Sequence, residues 1–275
     1  MLPETHANIH TCLNCGNQFE GKVCNTCGQK TKHFNVTPKG LFLEWWSVRK
    51  EDLRHFWFTT KSLILSPGMV LDEYLDGKRK KYYNSTNYFL LIASIVTIIT
   101  IQFRDLNPEE ALANVSSFYE SIGFPVDESN KGGIIAMEWI SRHYNVALMM
   151  TLPFLALGSF LSFKWFFKIK KRKLGEHFVM HLFVYGLQNF LLIPTLPFIN
   201  PSSPESKAMF ITSSFMILLY AWVYKDWFKL NWAKAILASI LAYALYFAAF
   251  ILGIITVVVV AIILTVLTIM IVKLF

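Results

Sequence analysis

Four cysteines, Cys12, Cys15, Cys24 and Cys27, form two matched knuckles, Cys12-Leu-Asn-Cys15-Gly16 and Cys24-Asn-Thr-Cys27-Gly28, and the chain has no others. Two Cys-x-x-Cys-Gly turns can place four thiolates around one tetrahedral ion, and a glycine after each second cysteine can take the positive φ that turns backbone N–H groups toward sulfur. This predicts a small zinc ribbon holding one structural Zn2+. A closed four-cysteine set leaves no open coordination position, so the site is expected to be non-catalytic. Eight residues separate Cys15 from Cys24 and leave room for a tight hairpin with Phe19 and Gly21 near its bend. So small a unit draws most of its folding free energy from the metal. Two disulfides are the first alternative, which a reducing cytoplasm disfavours, and a redox pair the second, which needs one reactive knuckle rather than two matched ones. His6, His10 and His33 flank the site and are read as solvent-exposed, with a role as substitute ligands the alternative.

A second set of chemically capable residues is His177, His181, Tyr185 and Gln188, spaced i, i+4, i+8 and i+11 in an otherwise apolar stretch. Helical periodicity makes them one stripe, which either lines a pathway or supplies hydrogen bonds between helices. In Glu176-His177-x-x-x-His181 the carboxylate precedes the histidine pair, the wrong order for a zinc protease helix. No Gly-x-Ser-x-Gly elbow and no carboxylate pair inside an apolar run is present.

The third set is cationic. Lys78, Arg79, Lys80 and Lys81 precede an apolar run, and Lys170, Lys171, Arg172 and Lys173 precede another. Such collars fix topology and can hold anionic lipid headgroups. The chain is 54% hydrophobic and only 16% charged, against roughly 25% in soluble domains. Its net charge of +8 alternates along the sequence: 12 Lys/Arg face 8 Asp/Glu in residues 1–86, 2 face 6 in 104–133, and 6 face 1 in 164–176. That alternation is the positive-inside pattern of an integral membrane protein. The opening residues carry neither a basic nor an apolar segment, so no cleavable signal peptide is expected and the head is placed in the cytoplasm.

These groups must be positioned by an all-α membrane protein of about six transmembrane helices behind a small zinc ribbon. The expected units are a head over 1–33, an amphipathic aromatic connector over 34–83 and a polytopic domain over 84–275. Spans are expected near 88–103, 145–163, 177–199, 208–224, 233–252 and 255–272. The last two follow from a 40-residue run, Ala233 to Val272, with one charge, Lys234; a single helix there would be roughly 60 Å long, twice the hydrocarbon thickness. A fold near Gly253 is expected to divide it, with one bent helix as the alternative. In the connector, Thr37-Pro38 and Ser66-Pro67 read as helix starts and Gly77 as a stop. Phe42, Trp46, Leu53 and Trp57 fall near one face, with Arg49, Lys50, Arg54 and Lys61 interleaved, which predicts helices lying on the membrane surface; the alternative is an aromatic core packed under the ribbon. Glu138 and Arg142, at i and i+4, are read as a pair at the outer rim.

Several of these features together, the paired Cys-x-x-Cys-Gly with Gly28-Gln29-Lys30, Leu63-Ile-Leu-Ser-Pro67-Gly68, and Tyr74-Leu-Asp-Gly77-Lys-Arg-Lys-Lys81-Tyr82, resemble an uncharacterised family of bacterial membrane proteins. The resemblance covers roughly residues 12–103. It implies a zinc-ribbon head, a multi-helix membrane region and a cytoplasmic-membrane location in a bacterium, and no activity. Where such sequences continue Asn-Pro after the tyrosines, this chain has Asn84-Ser85.

Within residues 12–33 the cations are Lys22, Lys30 and Lys32, opposed by Glu20. No dense phosphate-tracking patch exists, so the expected partners are the bilayer and a cytoplasmic protein, not nucleic acid; self-association is left open. The function expected is a non-enzymatic, membrane-anchored interaction or regulatory module, with a small-solute or ion transporter using the polar stripe as the alternative.

Overall fold

A computed structural model describes residues 9–30, 53–103, 144–169, 171–198 and 206–274. His6, His33, Thr37-Pro38, Phe42, Trp46, the acidic stretch 104–133, Glu138, Arg142 and Lys170 lie outside the described residues.

The head is a two-stranded antiparallel hairpin, β1 (Ile9–Thr11) and β2 (Gln18–Glu20), in register Ile9↔Glu20, His10↔Phe19 and Thr11↔Gln18. The hairpin bend is the first cysteine knuckle itself. This corrects the turn expected between Cys15 and Cys24, where β2 and Gly21 lie instead. The reason is hydrogen bonding inside the knuckle: Cys12 N–H donates to Asn17 O and Gly16 N–H to Cys12 O, each at 2.8 Å, which reverses the chain within six residues. The second knuckle repeats the pattern, Cys24 N–H to Gln29 O and Gly28 N–H to Cys24 O, and closes with the bridge Val23↔Lys30.

The rest is helical: α1 (Leu53–Leu65), α2 (Pro67–Leu75), a 3-10 turn (Arg79–Lys81), α3 (Ser85–Phe103), α4 (Tyr144–Leu161), α5 (Leu174–Leu192), α6 (Ser206–Phe228) and α7 (Trp232–Leu274). Among the described residues, three helices are long and apolar enough to cross a membrane, over Met149–Phe166, Leu174–Thr195 and Trp232–Val257. Helix α4 packs on α5 and α7, α6 on α7, and α3 on α5. Close approach is bought at two glycines. A Cβ on Gly158 would lie 2.5 Å from Ala242 O and 2.6 Å from Tyr246 N, and one on Gly186 would meet the Tyr88 ring at 2.9 Å.

Two expectations change here. Residues 232–274 form one unbroken helix of 43 residues, about 65 Å long, so the hairpin expected at Gly253 is absent. Gly253 serves packing instead, since a Cβ there would sit 2.8 Å from the Phe154 ring. The connector's described part does not simply rest on a lipid surface. Phe56 and Leu63 of α1 and Val70, Leu71 and Tyr74 of α2 are buried in the main core with Tyr88, Phe183 and Tyr224. Leu53 and Trp57 stay exposed, so α1 is apolar on both faces and only one is covered.

Local starts and stops follow from backbone chemistry. Pro67 opens α2 and Gly77, at φ 104°, lets the chain leave it. Ser66 does not cap with its hydroxyl; the free N–H of Gly68 donates instead to Asp226 Oδ2 of α6 at 2.8 Å. Helix α3 begins where Asn84 Oδ1 accepts the N–H groups of Thr86 and Asn87 at 3.0 and 3.1 Å, which accounts for Asn84-Ser85 as a cap.

Candidate metal centre and basic junction

The two knuckles bring the four sulfurs within 4.8 Å of one another. Cys12 and Cys27 Sγ stand 3.5 Å apart and Cys15 and Cys24 Sγ 3.6 Å, close to the roughly 3.8 Å edge of a tetrahedron with metal–sulfur bonds near 2.3 Å. Gly16 and Gly28 both adopt positive φ, 76° and 71°. Cys12 and Cys24 are buried with Phe19 against them, and Cys15 is exposed, so one side of the cluster faces solvent.

The sulfurs' ionisation fits a cation. Burial works to raise the Cys24 thiol, but the N–H groups of Cys27 and Thr26, then the Cys15 and Cys12 sulfurs, bring it down to about 6. At Cys15 the Asn17 N–H favours the thiolate, yet burial and the three sulfurs beside it push the thiol up to about 12. The Cys24 thiolate thus forms at the expense of Cys15, and a dication would replace the proton that keeps Cys15 neutral. The four cysteines can hold a metal ion.

The head is not a free knob. Gln29 Nε2 donates to Gly77 O at 2.7 Å, Lys80 N–H donates to Gln29 Oε1 at 3.4 Å, and Lys81 N–H donates to Asn14 Oδ1 at 3.2 Å. Asn14 lies between the cysteines of the first knuckle and Gln29 directly follows Gly28 of the second. The residues that shape the metal centre therefore also clamp the first basic collar.

That collar is wired rather than bare. Glu73 accepts Lys81 Nζ at 2.7 Å, Tyr82 OH at 2.6 Å and Lys78 Nζ at 3.1 Å. Lys81, then the Tyr82 hydroxyl and Lys78, hold its carboxyl down to about 2 against the opposing effect of burial. Arg79 stacks 5.3 Å over the Tyr74 ring. From the second collar, Arg172 pairs with Asp72 and lies 5.2 Å over the Trp227 ring, while Trp227 Nε1 donates to Asp72 Oδ1 at 2.9 Å. Adjacent acids of α2 thus each take one collar. Lys171 and Lys173 remain exposed.

The polar stripe divides. His177 and His181 are buried and both meet Ser159 Oγ of α4, at 3.0 and 2.9 Å, and His181 Nδ1 is 3.0 Å from Tyr220 OH of α6. Tyr185 instead stacks on Phe89 of α3, and Gln188 is buried farther along. Ser159, Tyr220, Asp72 and Asn14 were not singled out from the sequence, and Gln29 stood there only as part of the Gly28-Gln29-Lys30 motif. The one usable signal was the acidic pair Asp72-Glu73, four residues ahead of the cations Lys78 to Lys81.

A family model described as Protein of unknown function (DUF3667) matches residues 54–97. The match spans α1, α2, the collar turn and the first part of α3, the segment that carries Gly68, Asp72, Glu73 and the clamped backbone. No curated protein and no solved structure matches the chain.

Proposed function

We propose that this is a multi-pass protein of a bacterial inner membrane, with its N-terminus in the cytoplasm, in which one structural Zn2+ folds a non-enzymatic head that serves as an interaction and regulatory module. The observation that carries the reading is the set of three hydrogen bonds between the Asn14 and Gln29 side chains and the Gly77–Lys81 backbone, one donated by Gln29 and two by the Lys80 and Lys81 N–H groups. Because metal binding supplies most of the folding free energy of such a head, occupancy of the four cysteines is coupled to the state of the collar. Helices α3 to α7 are the membrane region. Exposed Lys171 and Lys173 are available to anionic headgroups. A cytoplasmic protein partner would meet the head where Ile9, Leu13 and Val23 are exposed.

Affinity capture from membranes of the native host, with the head's metal measured in the same preparations, tests this. Cys24→Ser should lose both one equivalent of zinc and the captured partner, while His181→Gln keeps both. Retention of the partner by the zinc-free variant would contradict the reading.

A further inference from the structure

The groups buried between α4, α5 and α6 make a continuous hydrogen-bonded chain: His177 Nδ1 to Ser159 Oγ (3.0 Å), Ser159 Oγ to His181 Nε2 (2.9 Å), and His181 Nδ1 to Tyr220 OH (3.0 Å). Each member both donates and accepts a proton. Ser159 has one hydroxyl hydrogen and four partners in reach, the two imidazoles, Ala156 O at 3.1 Å and the Tyr224 hydroxyl. The chain can therefore be filled in two senses. In one, Tyr220 donates to His181, whose Nε2–H donates to Ser159, which donates to His177. In the other, His177 Nδ1–H donates to Ser159, Ser159 to His181 Nε2, and His181 Nδ1–H to Tyr220. Converting the first arrangement into the second takes up one proton at the Tyr220 oxygen and releases one from His177 Nε2 toward solvent at the start of α5, so that Tyr220 and both imidazoles end neutral.

The Tyr220 end of the chain meets open space. Tyr220 and His181 line a small cavity of about 20 Å³ with Tyr224, Ser239 and Tyr243, room for a water molecule. Farther along α5 on the stripe, Gln188 is buried and does not line this cavity. At the other end His177 lies one turn from the start of α5, beside Trp227 and near Arg172. Arg172 is the charged group facing His177, and Tyr185, Tyr224 and Tyr243 are the titratable groups around Tyr220. A cross-link between helices needs one hydrogen bond per helix pair. It does not need two imidazoles sharing one hydroxyl with a water-sized cavity at the end.

We propose that Tyr220, His181, Ser159 and His177 form a proton relay within the bundle, linking the Lys173 end of α5 to the cavity at Tyr220. This reading is independent of the metal-folded head. The full chain in vesicles of phosphatidylethanolamine and phosphatidylglycerol, loaded with potassium and a pH-sensitive dye, tests it. On adding valinomycin, wild-type vesicles should acidify at least about tenfold faster than protein-free ones. His181→Gln, which keeps a hydrogen bond to both neighbours but cannot hand a proton through, and Tyr220→Phe should both return to the protein-free rate. Wild-type flux equal to that of protein-free vesicles, or a wild-type rate in His181→Gln, would overturn the relay.

Discussion

Asp72 and Arg172 lie one hundred residues apart and pair where the start of the membrane bundle meets its second basic collar. Asp72 also takes the Trp227 indole N–H, and its neighbour Glu73 takes Lys78, Lys81 and Tyr82. Helix α2, nine residues long, is thus the piece that joins head, collars and bundle. Its N-terminus is closed by Asp226 from α6.

The Arg172 side chain is 12% exposed and that of Asp72 40%. Removing the acid leaves a largely covered guanidinium short of a partner. Asp72→Asn should cost about 1–2 kcal/mol, the solvent at Asp72 reducing the value for a buried charged bond. Thermal unfolding in detergent of Asp72→Asn, Arg172→Gln and the double variant should give a coupling above about 0.5 kcal/mol; additive losses would mean the pair contributes nothing.

Glycine substitutions should separate by what a Cβ meets. Gly158→Ala drives Cβ into backbone atoms of α7 and Gly68→Ala into the Asp226 carbonyl at 2.7 Å, neither of which can turn away. Each should lose about 1–3 kcal/mol. Gly253→Ala meets only the Phe154 ring and should cost less than either in the same melting series. Equal losses at all three sites would contradict this packing.

Glu73 gives the junction an acid limit. Its folded pKa of about 2 lies below the ordinary 4.5, so its contribution to stability is complete above 4.5 and disappears as pH falls through 2. The melting difference between wild type and Glu73→Gln should therefore be constant from neutral pH to about 4.5 and shrink below it. Acid release of metal is common to both proteins and cancels in the difference. A gap that grows as pH falls would be the wrong sign.

Residues whose roles are set by neighbours in sequence were legible without a structure. The cysteine knuckles with Gly16 and Gly28, the Pro67 start and the Gly77 exit are all local geometry. Partners on other elements were not. The spacing of His177 and His181 says that they share a face of one helix, but not that Ser159 and Tyr220 lie opposite. Lys78 to Lys81 read as a cation belt because cost in lipid is a property of each residue, whereas pairing with Glu73 is a property of the fold. Gly253 looked like a turn because glycine permits one; the side chain of Phe154 filling its missing Cβ could not be foreseen from a run of apolar letters. The apolar face of α1 that packs into the bundle was hidden similarly, since lipid and protein core select the same residues.

Asn14 and Gln29 should separate clamping from metal binding. Neither has a sulfur, so Asn14→Ala and Gln29→Ala should retain the metal while trypsin cuts faster after Lys78, Arg79, Lys80 and Lys81. Loss of metal in either variant would show that these amides serve the centre and not the clamp.

Amide hydrogen exchange at Lys80 and Lys81, before and after a chelator strips the head, tests the coupling between metal and collar most directly. Both N–H groups donate to head side chains, Gln29 Oε1 and Asn14 Oδ1, so metal removal should speed their exchange while amides inside α5 stay protected. Unchanged exchange at Lys80 and Lys81 in the metal-free protein would contradict the account.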